Sequence, residues 1–577
     1  MEVKTVILRH TLENALRHNG KAMLQPVINR LLGERPELRK DIKNIINIIK
    51  ETIEYVNSLT IEKQQKLAKE LGIELVEKEK GEKKKELPPL PYAEKFQRII
   101  TRFAPNPDFV LHLGSARPAI LSYAYARKYN GKFILRFEDT DPRTKTPILQ
   151  AYELIKEDLK WLGIKWDEEY IQSQRLEIYY NYAKQLIEKG HAYVCTCPPT
   201  KIREYRVKGI GDECAKLPVE SQLERWEKML TGEYDEGEAV LRIKTNIKYP
   251  DPSVRDWIAF RIIDTEKYPH PLTGSKYNVW PTYNFACSID DHLQGITHIL
   301  RAKEHQTNTI KQGYIYEYFN WTKPVTIHFG RLNLEGTVLS KSKIREGIKK
   351  GLYQSWDDPR LGTLIALRRR GILPKAIWDL ILNVGIKPSS ARISLDNLHA
   401  LNRRYLEDIA NRYMFVPNPK SLLIEYDQDL KAVIPYHPSY PERGYRRIRL
   451  QCINGKLNVL VSSHDMQSIG VNREFRLLGL ANLRLLSLDP LEAVVVSKES
   501  EYAKSMKLPI IQWCPLDDNI SVKVLKAEKD RVSIVAGKAE SFVKQLKIGD
   551  QIQFFRFGFV KLEKMDGNEA FFVYTHN

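Results

Sequence analysis

The chain has 577 residues, too many for one hydrophobic core, so roughly three to five domains are expected. Its 91 Lys and Arg against 72 Asp and Glu give a formal net charge of +19, which draws a protein to a polyanion such as RNA or a membrane surface. No apolar run approaches the roughly 18 residues of a spanning helix and the N-terminus lacks the apolar core of a signal peptide, so a cytoplasmic protein without a membrane partner is expected; the six cysteines show no disulfide framework.

Residues 1–76 carry helical periodicity, with Ile28, Leu31 and Leu32 and then Ile42, Ile45, Ile46 and Ile49 on one stripe, and predict a small all-helical appendage. Residues 77–94 form a linker, charged from Glu77 to Glu86 and closed by Pro88-Pro89. Ile99 to Phe103 reads as a strand, Ala116 to Lys128 as an amphipathic helix and Lys132 to Phe137 as a second strand. The turn His112-Leu113-Gly114 sits at that strand-to-helix crossover, where backbone N–H groups and the helix dipole favour phosphate. The second strand delivers Glu138 and Asp139 to the carboxyl edge of the sheet, where they can hold an ammonium group or cap the next helix.

Far downstream, Leu339-Ser340-Lys341-Ser342 puts a lysine between two serines on a polar loop, a mobile charge suited to a leaving pyrophosphate. Residues 346–412 read as helical and contain Arg368-Arg369-Arg370 just before a glycine, where a helix C-terminus favours cations and an RNA backbone would too. From 413 to 577 the pattern turns to short alternating runs: Lys456 to Val461, Glu492 to Val496, Val522 to Leu525, Ser533 to Ala536, Gln551 to Phe557 and Ala570 to Tyr574. Strands at this spacing predict β-barrels.

The chain resembles the glutamyl/glutaminyl branch of the class I aminoacyl-tRNA synthetases. Arg102-Phe103-Ala104-Pro105-Asn106-Pro107 is similar to that branch's opening signature, His112-Leu113-Gly114-Ser115 to its HIGH motif and Leu339-Ser340-Lys341-Ser342 to KMSKS. Trp280 to Ala286, Gly295 to His298, Gly330 to Glu335 and His437 to Gly444 resemble further branch signatures, in the family's order. Two positions depart: Ser115 stands for the second histidine of HIGH and Val338 for the first lysine of KMSKS. The implied architecture is multidomain α/β plus β: a Rossmann-type nucleotide fold in two halves, 95–197 and 275–345, with an acceptor-end domain inserted at 198–274. A helical subdomain at 346–412 and two anticodon-binding β-barrels at 413–577 follow, and the N-terminal appendage marks the archaeal and eukaryotic type.

The resemblance also implies a site. His112, Gly114 and Lys341 would be catalytic, and with Arg331, Leu332 and Ser340 would bind ATP, which enters with Mg²⁺. Arg102, Glu138, Tyr283 and Arg301 would form the glutamate pocket, with Glu138 on the α-amino group and Arg301 on the γ-carboxylate. A buried carboxylate needs a cation, whereas an amide needs a balanced donor and acceptor, so Arg301 favours glutamate over glutamine. A surface ion pair with Glu304 is the plain alternative for Arg301. Cys287 falls where some bacterial relatives have asparagine, making that wall less polar.

The expected partners are L-glutamate and tRNA(Glu), with tRNA(Gln) left open as a second acceptor. Arg446, Arg447 and Arg449, beside Tyr445, are candidate tRNA contacts. Cys195, Cys197 and Cys214 resemble the start of a zinc knuckle, but Ala215-Lys216-Leu217 stand where zinc-binding relatives offer another ligand. His191 is the candidate fourth; without it the cysteines are expected to pack as small apolar side chains without zinc. A glutaminyl-tRNA synthetase and a non-catalytic RNA-binding scaffold are the competing functions. The first is opposed by Arg301 and Glu138, the second by intact His112, Gly114 and Lys341.

Overall fold

The computed structural model describes residues 3–17, 20–35, 38, 42–71, 87–528 and 531–577. It divides into two units, residues 1–86 and 87–577. In the first, helices Val3–Arg17, Leu24–Glu34, Ile42–Ser58 and Ile61–Glu70 bury Val6, Ile7, Ile28, Leu31, Ile45 and Ile49, so four residues of the stripe read from the sequence lie in the packed face, with Leu32 and Ile46 packed against it. The buried Gln64 amide donates to the carbonyls of Gly20 and Val56. The charge run from Glu77 to Glu86 lies outside the described residues.

The second unit is built on parallel strands. Ile100–Phe103, Lys132–Phe137 and Glu168–Ile171 pair in parallel, as do His298–Ala302 and Val325–Phe329. Thr297, just before His298–Ala302, ties the two sets together: its N–H donates to the Ile100 carbonyl and its hydroxyl accepts from the Ile100 N–H, both at 2.9 Å. The strands thus lie in chain order third, second, first, fourth, fifth, and the order reverses between Ile100–Phe103 and His298–Ala302, where open α/β sheets bind ligands. The crossover helix Leu113–Lys128 starts earlier than the periodicity predicted because a cap at His112 opens it.

One carboxylate in this core stands alone. Asp158, on helix Leu149–Trp161, is 1% exposed with neither oxygen hydrogen-bonded, and burial pushes its pKa up to about 7 against the pull of Arg368. A carboxyl raised on folding costs stability as pH rises from its unfolded value through its folded one. Asp158→Asn is therefore expected to gain about 4 kcal/mol relative to the parent at pH 8 and less than about 1 kcal/mol at pH 4. Denaturant midpoints at the two pH values check this; an equal difference at both would show that Asp158 is not the titrating group.

A four-stranded antiparallel sheet, Ala192–Cys195, Val240–Ile243, Ile258–Ile262 and Val279–Pro281, holds Trp226, Trp257 and Phe260 in its core. Its outer strands fall on either side of the segment 198–274, because an inserted pair of strands is stable only when its edges find partners. Helices Leu364–Arg369, Pro374–Val384 and Leu395–Ile409 follow, with an unanticipated strand, Ala391–Ser394, parallel to Leu332–Glu335. Four residues, of which only Ile393 is buried, carry too little alternation to be read as a strand.

Two seven-stranded sheets and the two-stranded pair Leu430–Pro435 and Tyr445–Leu450 make the C-terminal part, and each seven-stranded sheet is drawn round until its two edges are consecutive in the chain. Arg412–Tyr413 pairs with Gln551–Phe554 at one edge and Phe415–Pro417 with Val532–Glu540 at the other, so only Met414 separates them. In the second sheet Ile510–Ile511 and Cys514–Pro515 take the two edges, with Gln512 and Trp513 at the corner. Met414 and Trp513 are fully buried, and the Gln512 side chain accepts from the Phe415 N–H at 3.0 Å, locking one corner to the other. Closure leaves few edges open, as the expected barrels require. Among the described residues no helix is long and apolar enough to cross a membrane.

Candidate active site

The carboxyl ends of four parallel strands converge on a cleft of about 980 Å³, contributing Arg102 and Phe103, Glu138, Leu300 to Ala302, and Phe329. The His112 turn, Tyr283 and the segment from Gly330 to Leu334 complete the walls, with Ser340 at the edge.

His112 is the N-cap of helix Leu113–Lys128. Its Nδ1 accepts from the Ser115 N–H at 3.3 Å, and the Ser115 hydroxyl accepts from the His112 N–H at 2.8 Å. Ser115, where the HIGH pattern has histidine, thus closes a reciprocal capping box. A proton acceptor at Nδ1 leaves the imidazole proton on Nε2, free to donate. Burial, helped by the charge of Lys341, pushes the His112 pKa down to about 4, so the ring is neutral at physiological pH. Gly114 is required here: a Cβ would lie 2.8 Å from His112 Cε1.

The Lys341 loop is tied to this turn through the backbone. Gly362 N–H donates to the Val338 carbonyl, Leu113 N–H to Gly362, and Leu364 N–H to Leu111. Residues 361–364 therefore bridge the His112 turn and the Lys341 loop, although nothing in them marks that role locally. Lys341 opens helix Lys341–Lys349, but its amine is not in the cleft wall; it rests on Asp108 Oδ1 at 2.9 Å, with Arg345 at 3.6 Å from the other oxygen.

Arg301 is 5% exposed. Its Nη1 reaches the Tyr283 hydroxyl at 3.3 Å, Nη2 reaches Thr309 at 2.6 Å and Gln312 at 2.8 Å, and Nε has no partner. All of these partners are neutral. Glu304 pairs instead with Arg331 at 2.7 Å, which removes the surface ion pair as the reason for Arg301. Tyr283 stays protonated, its pKa raised by burial, and burial with the Arg301 charge pushes His305 down to about 4.

Two other buried cations of the sheet are paired with carboxylates. Arg102 holds Asp291 through Nε at 2.9 Å and Nη2 at 3.1 Å, and Arg136 reaches Asp291 at 2.8 Å and Glu138 at 3.1 Å. Burial opposes all these charges, yet the two guanidinium groups hold Asp291 well below the ordinary carboxylate range and it holds them well above theirs. Glu138 goes the other way: burial raises it despite Arg136. Cys287 lies behind the pocket wall expected of it, its thiol donating to Asp291 and accepting from both arginines, with its pKa pushed up to about 12 by burial. Asp291 escaped the sequence reading because its partners are remote; Arg102 is 189 residues away.

Elsewhere two expectations change. His191 does not join the cysteines; its ring stacks on Tyr318 at 3.9 Å. The group that does is Asp212, whose carboxylate lies with the Cys195, Cys197 and Cys214 sulfurs inside 4.8 Å of one another. Arg242 stands on Asp212 at 2.7 Å and Arg225 on the Cys214 sulfur at 3.6 Å, so guanidinium groups already bring positive charge to the cluster. In the strand Tyr445–Leu450, Arg447 and Arg449 face outward with Tyr445, but Arg446 is turned inward, 1% exposed and paired with Glu540. Strand alternation puts Arg446 on the opposite face from its neighbours, and it is withdrawn as an RNA contact.

Comparison with known proteins gives the lineage. Residues 98–408 match the family described as tRNA synthetases class I (E and Q), catalytic domain, and residues 410–503 match the anti-codon binding domain of the same group. The chain is 54% identical to the glutamate--tRNA ligase of Thermofilum pendens and 51% identical to that of Pyrococcus furiosus, each over 581 residues and the whole of both proteins. A crystallised glutamate tRNA ligase from Elizabethkingia meningosepticum, in complex with its amino acid, is 25% identical, with a TM-score of 0.41 over 55% of this chain and 71% of its own. The matches run through the cleft and into the closed sheets, and the chain belongs to the class I tRNA synthetases of the glutamate and glutamine group.

Proposed function

We propose that the cleft activates L-glutamate with ATP and transfers it to the 3′ end of tRNA(Glu). The observation that carries this reading is Arg301, a buried guanidinium at a strand's carboxyl end with an unpartnered Nε and only neutral neighbours. It suits a substrate carboxylate, and Glu138 across the same cleft suits the α-ammonium.

ATP would lie with its adenosine along Arg331 and Leu332 and its phosphates toward His112, Ser340 and Lys341. The α-carboxylate of glutamate attacks the α-phosphorus in line; the bond to the bridging oxygen breaks and pyrophosphate leaves, giving glutamyl-adenylate. A 2′-hydroxyl at the tRNA terminus then attacks the activated carbonyl and displaces AMP. The protein supplies position and charge rather than a nucleophile. Neutral His112 donates from Nε2, and Lys341 exchanges Asp108 for the departing pyrophosphate. Mg²⁺ would be held by phosphate oxygens and water, its usual partners, and would neutralise charge there. Among the described residues the one group of three or more metal-ligating side chains is the Cys195, Cys197, Asp212 and Cys214 cluster, to which no step is assigned. Outward-facing Tyr445, Arg447 and Arg449 would meet the tRNA.

Lys341→Ala is expected to slow single-turnover adenylate formation by roughly 2–4 kcal/mol of transition-state energy while tRNA affinity holds. An unchanged rate would remove Lys341 from the reaction. The function itself is read by offering labelled glutamate and glutamine separately to tRNA(Glu) and tRNA(Gln). Glutamate on tRNA(Glu) is expected, and charging of tRNA(Gln) with glutamate would define a wider acceptor range. Glutamine on tRNA(Gln) would replace this reading with the glutaminyl one.

A further inference from the structure

The arginine triplet at residues 368–370 is divided by the fold. Arg368 lies 3.8 Å from Glu157, and Arg369 has Glu563 at 2.5 Å and Asp357 at 3.4 Å. Arg370 has no such partner. It is 6% exposed, its Nη2 touches His399 Nε2 at 3.2 Å and the Thr575 carbonyl at 3.1 Å, and its Nε has no partner. This is the pattern of Arg301 in the cleft, a buried cation with neutral neighbours and an unused N–H. It lines a separate cavity of about 430 Å³ between the helix end and the last strand, Glu569–His576.

Among the described residues, no carboxylate side chain lining that cavity pairs with Arg370, while Asn577, also in the lining, accepts at its main-chain oxygen from His576 Nδ1 at 2.8 Å. His399 and His576 face each other at 5.0 Å between ring centroids. The first accepts from Arg370 and the second contacts the Asn402 amide, so neither Nε2 is called on to carry a proton. Burial first, and then the charges of Arg370 and His576, push the His399 pKa down to about 3. Arg403 stands at the rim, 55% exposed and paired with Glu407. Among the described residues two carboxylate side chains border the cavity: Glu528 is taken by Arg531 at 2.6 Å, and Asp396, 95% exposed, is 3.9 Å from His399. Gly371 lets the helix end come this close, since a Cβ there would meet Thr575 Oγ1 at 2.8 Å.

We propose that this cavity binds a phosphate group, with Arg370 as its buried anchor and Arg403 at its mouth. A backbone phosphate of tRNA and a free phosphate compound offer the same chemistry; the tRNA source rests on the function proposed above, and the phosphate chemistry does not. With the cleft filled by a non-hydrolysable ATP analogue, calorimetry of the full-length protein with inorganic phosphate is expected to show binding that weakens at least tenfold in Arg370→Gln. If the same variant also lowers the slope of log affinity for tRNA against log salt by about 0.7–0.9, the value of one phosphate contact, the occupant is tRNA. Lost phosphate binding with an unchanged slope assigns a free phosphate compound. Should Arg370→Gln fail to fold, Arg403→Gln, at an exposed site, is expected to weaken phosphate about threefold. If the folded variant shows neither weaker phosphate binding nor a lower slope, the proposal is overturned. Glutamate charging by the parent protein in the same preparation reads the catalytic function separately.

Discussion

Arg301→Gln is expected to lower kcat/KM for glutamate activation by roughly 30- to 3,000-fold, with tRNA affinity unchanged. Removing one partner of a desolvated, hydrogen-bonded charge pair costs about 2–5 kcal/mol, and each 1.4 kcal/mol is tenfold. Glutamine keeps a polar group in reach of Thr309 and Gln312, so the side chains around it keep their partners while the charge is lost. The other buried arginines of the sheet cannot substitute. Arg102 and Arg136 already share Asp291, and withdrawing either would leave that carboxylate buried with less compensation. The measurement is pyrophosphate exchange with glutamate across a concentration series. A change below threefold would place the γ-carboxylate elsewhere in the cleft. A variant that also loses tRNA binding would point to a structural defect instead.

What could be read before the fold was known depended on whether a signal is local. His112, Gly114 and Lys341 belong to short motifs, and the strand-to-helix setting of the first two needs only neighbouring residues. Ser115 was visible only as a departure from a pattern; its reciprocal bond with His112 shows why a hydroxyl serves there. Arg301 was marked by resemblance alone, because nothing in its neighbours says that Glu304 prefers Arg331. Asp291 and the bridging segment 361–364 were illegible, since their partners are remote in sequence and no periodicity links them. The helical stripe of the first unit and the alternating C-terminal strands were legible because burial repeats with the period of the element. Their closure at Met414 and at Gln512 and Trp513 was not, as a corner consists of two short segments whose partners come from elsewhere. The metal question turned on the same point: three cysteines are conspicuous in sequence, but Asp212 joins them only in space. Arg446 was misread for a different reason. In Tyr445 to Leu450 the basic residues were taken together, whereas a period of two separates Arg446 from Arg447 and Arg449.

That separation predicts a loss of stability rather than of RNA affinity when Arg446 is removed. Its guanidinium meets Glu540 Oε1 through Nη1 and the Pro435 carbonyl through Nη2 at 3.1 Å, between the rings of Tyr413 and Tyr436. Glu540 is 1% exposed; one oxygen also accepts from the Met414 N–H at the corner of the sheet, and the other has no partner. Burial pushes the Glu540 pKa up to about 7 even with Arg446 and the Met414 N–H pulling it down. Without the guanidinium the carboxylate would be left buried and nearly unpaired, at a cost of about 3–5 kcal/mol. The sign with pH follows from the same group. Losing Arg446 raises the folded pKa of Glu540 further, so the penalty is full above that value and shrinks as the carboxyl takes up a proton below it. Denaturant midpoints should therefore show Arg446→Ala most destabilised at pH 8 and partly recovered at pH 5, with Glu540→Gln in the same chain restoring much of the loss at pH 8. Arg447→Ala, on the exposed face, should stay within about 0.5 kcal/mol of the parent and weaken tRNA binding instead. If Arg446→Ala kept its midpoint and lost tRNA affinity, the inward-facing pair would not hold in solution and Arg446 would return to the RNA surface.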